Sequence, residues 1–145
     1  MIADDVWHQK AKKHLRNARA RSKKKGPDPA DTYASKQEQE DMDKVHKQNI
    51  KMMEACLDNC PDLKFKRALD VGAGDGRVTK DLLHPLFEAV DIFEPAADGF
   101  AKIMSVKALL PKLKHTHLAS MLDYEFKEEY SLIMLVWCSG YVDDM

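Results

Sequence analysis

Gly72, Gly74 and Gly76 alternate within the stretch Leu69-Asp-Val-Gly-Ala-Gly-Asp-Gly-Arg77, directly after a short apolar run. The pattern describes a strand ending against a nucleoside ligand, because glycine permits the positive φ of a tight turn and lets backbone approach a ligand closely. The G-x-G-x-G spacing differs from the G-x-G-x-x-G of a dinucleotide turn, and no Gly-Lys-Ser/Thr of a triphosphate loop follows. Glu94 stands 18 residues beyond Gly76, close to the spacing of roughly 20 expected for an acid that accepts hydrogen bonds from both ribose hydroxyls. Asp70 can orient the glycine turn or meet a ligand ammonium through water, and Arg77 can pair with a ligand carboxylate. S-adenosylmethionine carries ribose, ammonium and carboxylate together and is the cofactor these residues fit. The structural alternative stands beside it: Asp70 capping the turn and Arg77 as a surface helix residue.

Two further groups lie where such a ligand would reach. Ser120-Met-Leu-Asp123 follows the third expected strand, where Met121 and Leu122 would cover an adenine unless they are ordinary loop and core residues. Trp137-Cys-Ser-Gly-Tyr141 ends the fourth, beside the expected methyl position, with Trp137 as plain core the other reading.

The elements that must position these groups follow from periodicity. Trp7, Ala11, Leu15 and Ala18 define an amphipathic helix over residues 4–22, with Trp7 as a packing anchor. Lys23 to Asp31 combines like charges with one Gly and two Pro and reads as a linker. Ser35 and Glu38 form a capping box for a helix whose stripe is Met42, His46, Ile50, Met53 and Leu57, ending at Asn59-Cys60-Pro61-Asp62.

Beyond it, strands are expected at 67–71, 89–93 and 113–119, with helices at 77–83, where His84-Pro85 should terminate or kink the first, and at 96–110. Tyr130 to Trp137 is a nearly continuous apolar run of the kind buried on both faces of a parallel sheet. Strands alternating with helices imply an α/β fold built from βαβ units, a doubly wound sheet whose ligand sits beyond the carboxyl ends of its strands.

The chain has 145 residues, 32% charged, with net charge −1 and mean hydropathy −0.51. No apolar run approaches the roughly 20 residues of a membrane span, and no secretory signal opens the sequence, so a cytoplasmic or nuclear location is expected. Charge is uneven: nine Lys or Arg and no acid fall between Lys10 and Lys25. That segment is either a solvated helix face running into a linker or a contact for nucleic acid or an acidic partner. Of three cysteines, Cys56 and Cys60 share a helix face, but no second ligand pair accompanies them, so no metal site is expected.

Ala68 to Leu86 closely resembles the protein α-N-terminal methyltransferases, most narrowly in the continuation Gly76-Arg-Val-Thr-Lys-Asp-Leu-Leu-His-Pro-Leu-Phe87. Trp7 to Leu15 is similar to that family's first helix, and Trp137-x-x-Gly140-x-x-x-Asp144 matches more loosely. The resemblance implies a partial class I methyltransferase fold, a Rossmann-like three-layer sandwich with strand order 3-2-1-4 after two N-terminal helices. It implies S-adenosylmethionine as cofactor and the α-amino group of an Xaa-Pro-Lys protein N-terminus as acceptor. Cofactor contacts would fall on Asp70, Gly72, Gly74, Gly76, Arg77, Glu94, Met121 and Leu122, with Trp137 and Tyr141 facing the peptide. Glu94 stands where the family has Asp, Leu122 and Val136 where it has Gln, and Tyr141 where it has His.

The expected organisation is a basic helix and linker over 1–31 and a methyltransferase-like domain over 32–145. The sequence supplies four of the seven strands the resemblance implies, so catalytic residues are not assigned. The expectation is a fragment, a short isoform, or a chain whose apolar strand-four edge is covered by a protein partner.

Overall fold

A computed structural model of the chain describes residues 2–22 and 36–136. Residues 1–63 and 64–145 form two compact units. The sequence-based boundary after residue 31 and the capping residue Ser35 fall outside the described residues, as do Trp137 and Tyr141.

The first unit holds α1 (Ile2–Ser22) and α2 (Lys36–Asn59). Their apolar stripes are buried through Ala11, Leu15 and Ala18 on α1 and Ile50, Met53 and Leu57 on α2. Between the helices, Lys12 pairs with Asp58 at 2.9 Å and Arg19 with Glu54 at 3.6 Å. Trp7 departs from its expected anchoring role. It is 43% exposed, and Lys10 Nζ lies 5.1 Å from its ring centroid. Residue 7 is a full turn before Ala11, at the edge of the stripe rather than its centre.

The second unit is a parallel sheet of β1 (Arg67–Val71), β2 (Ala89–Glu94), β3 (Leu113–Leu118) and β4 (Leu132–Leu135). Its spatial order is β3-β2-β1-β4, with β1 pairing in parallel to both β2 and β4. The two central strands are almost wholly buried. Each of their large apolar side chains contributes about 1.5–3 kcal/mol by leaving water.

Because side chains alternate along a strand, Asp70 and Ile92 face one side and Leu69, Val71 and Phe93 the other. On the Asp70 side lie a π-helical turn, Thr79–Leu83, and α4 (Ala97–Val106), whose Ile103 is fully buried. The opposite face is covered by Met121, Tyr124 and Tyr130.

Two elements differ from the sequence-based expectation. The helix after the glycine turn ends one residue past Pro85, as expected of that proline, but not by a simple stop. It widens into the π-turn and continues as α3 (His84–Leu86). Proline has no N–H to give, and its ring crowds the carbonyl four residues back. The wider turn immediately before it relieves that crowding. The apolar run 130–137 yields a strand of only four residues, and at the sheet edge Ile133 and Leu135 are 45% and 48% exposed. Tyr130 is not in the strand: its hydroxyl donates to Asp91 at 2.7 Å.

Asp91 ties the second face together. Fully buried, it accepts from Arg67 Nε at 2.8 Å, Arg67 Nη2 at 3.0 Å, the His115 backbone N–H at 3.0 Å and Tyr130. Burial alone would raise its carboxyl pKa, but those donors hold it below the ordinary carboxylate range.

Candidate functional site

Apolar residues drive β1 into the sheet, and its carboxyl end must turn at once into the next helix. Gly72, Gly74 and Gly76 make that turn with φ of 66°, 59° and 87°, a region that costs other residues roughly 1–2 kcal/mol each. The N–H groups of Gly72 and Ala73 both donate to the Phe93 carbonyl, at 3.0 and 3.2 Å. The turn is thereby fastened to the end of β2, where Glu94 stands.

Glu94 is buried, and its carboxylate is anchored twice. Oε2 accepts the Gly74 N–H at 2.6 Å and Oε1 the Ala96 N–H at 3.0 Å. A carboxylate oxygen has two acceptor positions, so each oxygen retains one beyond its backbone donor. The Ala119 N–H donates to the Glu94 carbonyl at 3.2 Å, which brings the 119–122 loop to the same strand end.

Asp70 lies beneath the turn, almost inaccessible, with Oδ2 accepting the Thr79 hydroxyl at 2.5 Å. Burial pushes its carboxyl up to about 7, with the nearby Glu94 charge adding to the rise and the Thr79 hydrogen bond opposing it. Two acids under one turn favour a ligand that brings positive charge. Arg77 is half-buried, and its backbone N–H donates to Asp75 Oδ1 at 3.3 Å. Both the capping and the ligand-facing reading of Asp70 are compatible with this placement.

Met121 and Leu122 part company. Met121 packs against Leu69, Val71 and Phe93, whereas Leu122 is 64% exposed, its N–H held by Ser120 Oγ at 3.0 Å. The expected site residues Trp137 and Tyr141 lie outside the described residues.

Whether this turn fits an adenosyl cofactor is decided at Gly74. A Cβ built there meets no protein atom within 4 Å, so the backbone at that point fronts open space that a ligand can fill. The loop, the twice-anchored acid of β2 and the buried acid of β1 therefore suit S-adenosylmethionine.

Two residues escaped the sequence reading. Thr79 holds Asp70; the only sign was a hydroxyl within the Arg77-Val-Thr stretch. Gly99 lies in the first turn of α4, where a Cβ would come within 2.9 Å of the Gly74 carbonyl oxygen. A glycine so early in a helix, where it is disfavoured, was a readable signal of close approach.

Comparison with known proteins gives the same answer from a different direction. Residues 31–145 match a family described as AdoMet-dependent proline di-methyltransferase. The chain is 35% identical over 81 residues to an alpha N-terminal protein methyltransferase 1 of Caenorhabditis elegans, an overlap covering 55% of this chain and 35% of that protein. It is 36% identical over 80 residues to an N-terminal Xaa-Pro-Lys N-methyltransferase 1 of Rattus norvegicus, covering 53% of this chain and 35% of the relative. A solved SAM-dependent methyltransferase of Leishmania major superposes with a TM-score of 0.62 at 28% identity, over 93% of this chain and 50% of that one. The chain thus matches about a third of the length of these curated relatives.

Proposed function

The chain belongs to the AdoMet-dependent proline di-methyltransferase family, and from that premise we propose that its second unit is the methyl-donor half of a protein N-terminal methyltransferase. The acceptor is the α-amino group of an Xaa-Pro-Lys-type N-terminus, the chemistry named for the rat relative. The observation that carries this reading is the open space at Gly74 beside a carboxylate locked by the Gly74 and Ala96 N–H groups.

When bound, S-adenosylmethionine supplies an electrophilic methyl group on a sulfonium. The glycine turn would take the close-approaching part of that cofactor, and Glu94 would accept from its ribose with the positions its backbone donors leave free. Asp70 would lend negative charge beneath the turn, and Arg77 would pair with the cofactor's carboxylate. Met121 and Leu122, on the loop joined to Glu94, would flank the adenine. Trp137 and Tyr141 would border the acceptor peptide.

A second reading rests on one observation, the exposure of Ile133 and Leu135 on edge strand β4. In it the unit binds cofactor and is completed by another polypeptide pairing along that edge. Incubation of the chain with S-adenosylmethionine and a synthetic Xaa-Pro-Lys peptide, followed by mass spectrometry, tests the proposal. Mass increments of one methyl group or more on the free N-terminus are expected, absent when that amine is acetylated. Methylation that persists on the acetylated peptide would overturn the acceptor assignment. Cofactor binding with no transfer would leave the second reading in place of the first.

A further inference from the structure

The cations of α1 are sorted by direction. Its apolar stripe, Ala11, Leu15 and Ala18, is buried, and two of its basic residues, Lys12 and Arg19, are paired with acids of α2. Lys10, Lys13, Arg16 and Arg21 are exposed, with no carboxylate in ion-pair reach among the described residues. At 100° per residue these four fall within a single sector of the helix, facing away from the buried stripe. They extend over roughly 16 Å of helix at 1.5 Å per residue.

Trp7 stands at one end of this row, 43% exposed, with Lys10 over its ring. An indole left in solvent beside a row of cations forms a stacking platform next to an electrostatic track. The sequence adds three more lysines, Lys23 to Lys25, and no acid before Asp28.

We propose that this outward face of α1 binds single-stranded nucleic acid, with Lys10, Lys13, Arg16 and Arg21 on successive phosphates and Trp7 stacked on a base. Charge selects the partner. A row of cations unneeded by the helix pair gains most from a polyanion with closely spaced charges, whose counterions are released on binding. A membrane surface fits poorly, because an interfacial helix turns its apolar stripe outward whereas α1 buries its own. An acidic protein would satisfy the cations but give Trp7 no base to stack on.

The test is fluorescence anisotropy of a labelled mixed-sequence 20-nucleotide strand titrated with the full chain at several salt concentrations. Four phosphate contacts predict a slope of log K against log salt near −3, so affinity falls about 50-fold between roughly 50 and 200 mM salt. The quadruple variant Lys10→Glu, Lys13→Glu, Arg16→Glu, Arg21→Glu should bind at least about twentyfold more weakly, with unchanged helix content by circular dichroism. Should that variant lose helix, Lys10→Gln with Lys13→Gln gives the same comparison, with the slope reduced by about half.

Quenching of tryptophan emission by the strand should disappear in Trp7→Phe. Equal affinity of native and charge-altered chains, or a flat salt dependence, would overturn the proposal. So would polyglutamate, or vesicles containing phosphatidylserine, competing as well as the oligonucleotide.

Discussion

The Glu94 carboxylate closes on the Gly74 backbone N–H at 2.6 Å while its other oxygen holds the Ala96 N–H at 3.0 Å. One side chain therefore fixes both the glycine turn of β1 and the entry to α4. Glu94→Gln leaves a single acceptor oxygen, so one N–H faces an amide NH2. That change is expected to cost about 1–3 kcal/mol in urea unfolding and about tenfold in S-adenosylmethionine affinity by calorimetry. Unchanged stability and affinity would show that the anchorage does not hold the turn.

Gly74 and Gly99 make a contrasting pair. Gly74→Ala meets no neighbour but keeps a left-handed φ, so its stability cost should be about 1–2 kcal/mol. Gly99→Ala sets a methyl 2.9 Å from the Gly74 carbonyl oxygen, a backbone atom that can yield only by moving the turn. Cofactor affinity should therefore fall in Gly99→Ala through displacement of the turn. Calorimetric titration of both variants checks this.

Asp70 gives a pH dependence of known sign. Its folded carboxyl is raised from 3.8 to about 7, so between those values the native state keeps a proton that the unfolded chain has lost. Stability then falls as pH rises through this window, by up to a few kcal/mol. Asp70→Asn should flatten that dependence and melt higher than the native protein at pH 8, as thermal unfolding across pH 5 to 8 would show. A cationic cofactor favours the ionised carboxylate, so binding near pH 7 should release protons. Titrations in two buffers of different ionisation heat would detect it.

Arg67 and Asp91 form the principal ion pair of the opposite face, with the carboxylate fully buried. Removing the guanidinium in Arg67→Met leaves that charge with the His115 backbone N–H, the Tyr130 hydroxyl and the His115 ring 3.6 Å away, an expected loss of about 3–5 kcal/mol. Equilibrium urea denaturation measures it. The loss should shrink at acidic pH, as Asp91 takes up a proton in the variant more readily than in the native protein.

The sheet was legible because its signals are local. Short apolar runs ending at the glycine turn and at Glu94 placed β1 and β2, the alternation with helices implied a parallel sheet, and the order β3-β2-β1-β4 is the one the family resemblance implied. What escaped depends on neighbours that spacing does not reveal. The edge position of β4 was expected from the strand order, but the periodicity of an apolar run does not tell that it pairs over only four residues, with Ile133 and Leu135 about half exposed. Asp91, read only as part of a strand, proved to be the acceptor for Arg67, His115 and Tyr130. The π-turn before Pro85 arises from a steric conflict that periodicity does not encode. In the site, the glycines and both acids were readable, whereas Thr79 and Gly99 act through contacts across the fold.

Everything proposed for the site depends on the Gly72 to Gly76 turn binding S-adenosylmethionine. Isothermal titration of the native chain with S-adenosylmethionine, beside Gly74→Val, tests it most directly. Saturable one-to-one binding is expected of the native chain, and none of a Gly74→Val variant that retains its circular dichroism spectrum. Absence of binding to the native chain, or equal binding by both, would contradict it.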